Sequence, residues 1–334
     1  EINLAGGSVR YLDGYIKTTK LVGADGRLYD IGRAPVDMPY VSIYSGFVVD
    51  HSRWKVSEVF TSPFSRDRFE KGYVQGAAAG MLEIHSRVQV LDGRIAAHTI
   101  VGDRQISSPP AGGALKIGSA APPDTSFNAN HLRLQAAAGG LPSNFTIASA
   151  LPTDRTSTLV LSTEMLSESG LSSVELILNG NVVFAPDSDI RLRPGSILSV
   201  NGGAGRSMTF DGSIRVPGGL VGLSVAGGPI VFKAGAKIDV SGQWTNYLVS
   251  PATGPRTPNG GSIGLTGNIT FDSDVVLAAD AGATVSSKGK FEAGTAGSIS
   301  LGSSNVIDLN SVTMSAYGLA TSGQVAVGPL GGHL

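Results

Sequence analysis

The chain of 334 residues contains no cysteine, which excludes disulfide staples and thiolate metal sites. Charge is scarce: Asp, Glu, Lys and Arg make up 15% of the residues, against roughly 25% in an average soluble domain. The net charge is −1. With no basic surplus to neutralise phosphates, nucleic acid is not an expected partner. No polybasic run marks a membrane surface. The longest weakly polar stretch, 218–232, is too short and too rich in glycine to span a bilayer, so membrane insertion is not expected either. The chain starts at Glu1 without a charged n-region and apolar core, and a targeting signal is expected outside this stretch.

Glycine, by contrast, is abundant, at 46 residues, and Val, Ile, Leu, Ser and Thr are plentiful. Glycine and β-branched residues both disfavour helices, and the mixture suits short strands joined by tight turns. From about Ser157 onward, pieces of three to six residues alternate apolar with small or polar side chains between Gly, Asn, Asp and Pro turns. Val174–Leu178, Ile190–Leu192, Ile197–Val200, Met208–Phe210 and Ser262–Leu265 are examples. This is the period of half-buried strands. The pieces are also self-similar. The stretch Ile190–Gly202 reads like Ile230–Gly242, 40 residues on, and Val275–Ser287 is a looser third copy. With another strand–turn–strand unit, Met208–Val216, between the first two, a coil of about 20 residues fits the period range of solenoids. Such a coil cannot enclose a core alone, whereas stacked coils pair their backbones and bury a continuous apolar row. The expected fold is therefore all-β, a parallel β-helix. A β-sandwich is the alternative, but it expects antiparallel hairpins and requires no near-repeats.

Three regions follow from composition. Residues 1–106 form a decorated β block with aromatic-rich excursions at 22–39 and 51–72, and His51–Phe60 reads as a short helix. Residues 107–156, rich in Pro, Ala, Gly and Ser, form an insertion or loop with one or two strands, such as Leu132–Gln135. Residues 157–334 form the regular coils.

No motif carries obvious chemistry: there is no P-loop, nucleophile elbow or zinc-binding His pair. No catalytic, cofactor or metal residue is assigned, and no cofactor is expected. Asp187 with Asp189, and Asp272 with Asp274, have the spacing of two that puts both carboxylates on one strand face. A β-helix polysaccharide lyase or hydrolase would cluster such groups with a nearby Arg or Lys. The plainer reading is that they cap turns. Asp25-Gly26 and Asp92-Gly93 fit tight turns, and a loop calcium site at Asp25 and Asp30 is the less economical alternative. Aromatics concentrate in 11–73, interleaved with arginines. Tyr29, Tyr44, Arg53, Trp54, Phe64, Arg66 and Arg68 are the candidate partner surface. The competing reading is a local core where the excursions pack.

The first hundred residues resemble a block of filamentous-haemagglutinin-family exoproteins. The resemblance runs through Gly6–Tyr11, Gly14–Ile31, Tyr40–Phe47, Val49–Trp54, Phe69–Gly76, Gly80–Ile84 and Gly102–Gln105, with Gly14–Ile31 the most specific stretch. The later stretches Gly260–Ile263, Gly297–Ile299 and Ala234–Gly242 match the same proteins in style. The resemblance implies a right-handed parallel β-helix exported by two-partner secretion through an outer-membrane β-barrel transporter. It further implies a secreted, cell-surface role in adhesion, biofilm or filament assembly. The expected partners are host-surface or matrix glycans and proteins, or copies of the chain itself. The chain reads as an internal fragment, non-enzymatic, with the lyase or hydrolase as the alternative.

Overall fold

The computed structural model describes residues 1–16, 19–44, 47–60, 68–106, 108–121, 124–142, 144–146, 148–249, 257–319 and 323–328. The chain divides into two compact units, Glu1–Ser8 with Gln75–Leu334, and Val9–Val74.

The larger unit is nearly all β, dominated by a large curled parallel sheet. A first ladder stacks Met81–Ile84, Gly113–Ile117, Leu171–Ile177 and Ile197–Gly202. It continues through the leading halves of Leu220–Phe232 and Ser262–Phe271, then Ser298–Gly302 and Gln324–Gly328. A second ladder stacks Thr158–Ser162, His131–Gln135, Val182–Phe184, Met208–Phe210 and the trailing halves of the same two long strands. Those long strands join the two ladders into one 12-stranded sheet. The bend in the first of them falls at Gly227-Gly228. Gly227 has φ +67, and a Cβ on Gly228 would lie 1.9 Å from the Arg206 carbonyl oxygen, so neither position accepts a side chain without displacement. A third ladder, in a separate sheet, stacks Asp189–Arg191, Ser213–Arg215, Lys237–Asp239, Val275–Ala278 and Val312–Ser315.

The pairing corrects the period read from the sequence. Ile190 pairs with Ile214 and Ile214 with Ile238, steps of 24 residues. Steps lengthen where the chain makes an excursion, as from Leu220 to Ser262. The first two self-similar stretches do not stack in the register of their likeness. Ile190 lies in the third ladder and Ile230 in the second. The strand–corner–strand grammar recurs at different corners of the stack, because every corner poses the same steric problem and is solved by the same small residues.

Alternating side chains point inward and form unbroken columns. One runs Leu161, Leu134, Phe184, Phe210, Phe232, Phe271 along the second ladder. Its phenylalanine rings are 4.7, 5.2 and 5.2 Å apart between centroids, spacings at which aromatic pairs add to area burial. Leu115, Val174, Leu198, Val221, Ile263 and Ile299 form a parallel column in the first ladder, all buried. Ile190, Ile214, Ile238 and Leu277 do the same in the third.

The helix Thr163–Glu168 closes one end of the third ladder. Ser162 caps it by accepting from the Met165 amide at 3.1 Å. On its flank, Thr163 Oγ1 and Ser167 Oγ accept from the amides of Asp189 and Arg191 at 3.4 and 2.9 Å. Spaced by four, the two hydroxyls lie on one helix face and stand in for the carbonyls of a missing strand. Residues 107–156 contribute Gly113–Ile117 and His131–Gln135 to the sheet. After them the chain doubles back, so that Thr158–Ser162 lies on the side of His131–Gln135 away from Val182–Phe184.

The smaller unit is built from antiparallel ribbons: Gly14–Ile16 with Arg68–Glu70, Lys20–Gly23 between Leu28–Asp30 and Tyr40–Tyr44, and Phe47–His51 with Val56–Phe60. The helix expected over His51–Phe60 is this last hairpin, with a turn at 52–55. Lys55 takes φ +55, which no right-handed helix contains. Asp25-Gly26 forms the expected tight turn, with Gly26 at φ +76. Val88–Leu91 is irregular, and the nearby strand is Ile95–Ala96, parallel to Ile2–Asn3.

On the outer face of the first ladder, Glu83, Lys116 and Glu175 are register neighbours. The Lys116 ammonium lies 2.8 Å from the Glu83 carboxylate. Together with His85 it holds Glu83 below the ordinary carboxylate value, while Glu83 raises Lys116. A carboxyl depressed in the folded state stabilises above its unfolded value, and that stabilisation is lost as pH falls through the folded value. The E83Q variant should therefore lose less of its thermal midpoint than the parent as pH drops below 4.5, read by scanning calorimetry across the acid limb. In the core, Phe210→Ala, which interrupts the ring column, should cost about 3–5 kcal/mol in denaturant unfolding. A loss under about 1 kcal/mol would contradict the column's role.

Candidate functional site

Of the residues nominated from sequence, Tyr29 and Tyr44 do not share a face. In the three-stranded ribbon, Tyr29 is paired with Leu21, while Tyr44 is paired with Lys20, the next residue along. Successive residues point to opposite faces, so the two tyrosines do as well. Tyr29 is committed locally. Its ring packs over Gly23, where a Cβ would lie 2.8 Å from Tyr29 Cε2, and meets Tyr40 edge-on at 5.8 Å. Its hydroxyl donates to Asp25 at 2.7 Å. That bond lowers the Asp25 carboxyl below its ordinary value and raises the Tyr29 phenol. Asp25 also accepts from the Arg27 amide, and Asp30 accepts from Lys20 Nζ at 3.1 Å. The two carboxylates once considered for a calcium loop are thus bonded within the ribbon. Among the described residues no cluster of three or more His, Cys, Asp or Glu could hold a metal ion.

Arg53 and Trp54 sit together on the turn at 52–55. Trp54 is 69% exposed and leans on His51, ring centroids 5.9 Å apart. Lys55 follows it in the chain, on the same turn. Phe64 and Arg66 lie outside the described residues, and of Arg68 only the backbone is described, in the strand paired with Gly14–Ile16.

Two open depressions mark the larger unit. One, of about 370 Å³, runs across the corners before the third ladder and is lined by Asp187, Asp189 and Asp211 with Ser188 and Ser213. Asp189 is already engaged, accepting from Ser213 Oγ at 2.6 Å and from Arg191 Nε at 2.8 Å. Arg191 does not line the depression. Arg193 reaches elsewhere, to Thr99 Oγ1 at 3.2 Å. The second Asp pair also serves turns: Asp272 meets Lys233 at 3.3 Å, and Asp274 takes φ +60. This is turn and ladder chemistry. None of the residues that line the depression is basic.

The other depression, of about 400 Å³, lies between the loops at 92–95 and 137–140 and the helix Thr163–Glu168. Its floor includes Asp92, whose Oδ1 accepts from Arg155 Nη2 at 2.5 Å. Arg155 Nη1 also reaches the Ala138 carbonyl, so the guanidinium ties the two loops together. The pair is deeply buried, Arg155 at 5% side-chain exposure and Asp92 at 16%. Among the described residues, Asp92 Oδ2 and Arg155 Nε have no hydrogen-bond partner.

No family model matches the chain, and comparison with curated proteins and with solved structures yields no match. No helix of the described residues is long and apolar enough to cross a membrane.

Breaking a buried pair from one side leaves a bare charge. Arg155→Ala should cost about 3–5 kcal/mol, and the R155A/D92A double variant less than the single one, in a urea double-mutant cycle. A double-variant loss equal to the sum of the two single losses would mean that the pair is not coupled.

Proposed function

We propose that the larger unit is a right-handed parallel β-helix and that the chain is part of a secreted, cell-surface structural and adhesive rod. In this reading it mediates adhesion, biofilm or filament assembly and carries out no catalysis. The observation that bears the weight is the set of parallel ladders whose inward columns stay in register from strand to strand. A stack of this kind lengthens by nearest-neighbour contacts and leaves turns free to vary. Right-handedness follows from the rule for parallel connections within one sheet. The resemblance of the first hundred residues to filamentous-haemagglutinin-family proteins supports export by two-partner secretion, with an outer-membrane β-barrel transporter as the transient partner. Glycans or proteins of a host surface or matrix, or further copies of the chain, are then the lasting partners.

The enzymatic alternative is disfavoured by the engagement of Asp189 and Asp272 in structural pairs. Immobilised chain should retain epithelial cells above the level of an unrelated β-rich protein. It should release no unsaturated sugar absorbing in the near ultraviolet, and no reducing ends, from a panel of polysaccharides. Sustained product release abolished by D187N/D189N would overturn the non-enzymatic reading.

A further inference from the structure

The turn at 52–55 places an exposed indole between two cations. Trp54 stands 69% exposed. Its amide donates to the His51 carbonyl at 2.9 Å, which fixes the turn beneath it. Arg53 and Lys55 are both exposed, and among the described residues neither side chain has a hydrogen-bond or ion-pair partner. The strand acids below are already engaged, Asp50 with Ser57 and Glu58 with His51 at 3.6 Å. Lys55 holds a left-handed backbone at φ +55, a conformation costly for a lysine, and no hydrogen bond or ion pair among the described residues accounts for its side chain.

We infer that this turn is a recognition site for carboxylated polysaccharides, an assignment that rests on the adhesive reading above. A pyranose presents a C–H face that lies flat on an indole ring. A carboxylate on the same sugar, or on the next, meets the Arg53 guanidinium in the two-point geometry that arginine favours, and Lys55 adds a second positive charge. A neutral glycan would leave both cations unused. A broad anionic lipid surface would confront Asp50 and Glu58 as well as the tip, whereas a single saccharide chain meets the tip alone. Two cations and one ring give weak binding per site, so the site works through many copies on a repeating polymer.

The sequence contains only two tryptophans, so the full chain carrying W244F reports on Trp54 alone. Titration with alginate oligosaccharides should change its emission, with weaker response at high salt, and dextran should leave it unchanged. R53Q with K55N, the asparagine chosen because it tolerates the left-handed turn, should weaken alginate binding by about tenfold or more. W54A should abolish binding measured by calorimetry and W54F should retain part of it, with thermal midpoints unchanged in every variant. Equal response to dextran, unchanged affinity in R53Q/K55N, or a response confined to anionic phospholipid vesicles would overturn the assignment. If W54A loses alginate but still retains cells, the tip and the adhesive reading both stand, with other surfaces contributing. If W54A binds alginate as the parent does, the tip assignment fails and the adhesive reading is judged by cell retention alone.

Discussion

A parallel strand cannot satisfy itself. Its amides and carbonyls slant to neighbours on both sides, and its inward side chains need a side chain above and another below. The larger unit follows from that constraint. The column through Phe184, Phe210, Phe232 and Phe271 exists because each ring would otherwise cover only part of its neighbour's face. The helix Thr163–Glu168 exists at the end of the third ladder because Asp189 and Arg191 have amides that need acceptors, and Thr163 and Ser167 supply them. At the bend, Gly228 is required because the Arg206 carbonyl lies where a side chain would go, and Gly227 because its backbone is left-handed.

Much of this was legible in the sequence. Alternation located most strands of the larger unit, and the abundance of glycine with β-branched residues fixed the class. The period was misread for a definite reason. Corners repeat more often than coils do, so the likeness of Ile190–Gly202 to Ile230–Gly242 relates two corners in different ladders. Parallel register is set by which residues face each other across the stack, and no local pattern encodes it. The helical capping of the third ladder was equally hidden, since Thr163 and Ser167 act on amides about 25 residues away. In the smaller unit the period-2 signal is brief and broken by aromatics, so the turn and second strand of the hairpin, His51–Phe60, resembled a helix. The pairing of Tyr29 with Asp25 lay four residues apart in plain sight, and only the packing on Gly23 shows that the ring is held in place locally.

The division of labour in the chain follows from the same physics. Inward positions are locked by neighbours on both sides, so variation there is penalised at every rung. Turns and excursions touch little and can carry recognition at small energetic cost. The acids at the corners illustrate the difference: Asp189 is absorbed by Ser213 and Arg191 in support of the ladder. At the turn beyond His51, by contrast, Arg53 and Lys55 remain available for a partner. A scaffold stabilised by repetition thus leaves specificity to a few exposed side chains.

The central claim is the register of the stack, and the absence of cysteine from the chain offers a clean test of it. Arg191 and Arg215 are exposed register partners in the third ladder. Neighbouring strands lie about 4.8 Å apart, within reach of a disulfide. Mild oxidation of the R191C/R215C variant should form an intramolecular disulfide in high yield, detected by mass spectrometry after proteolysis. The R191C/V231C variant, which follows the 40-residue likeness of the sequence, should form none. Bridging in the second variant and not in the first would contradict the account.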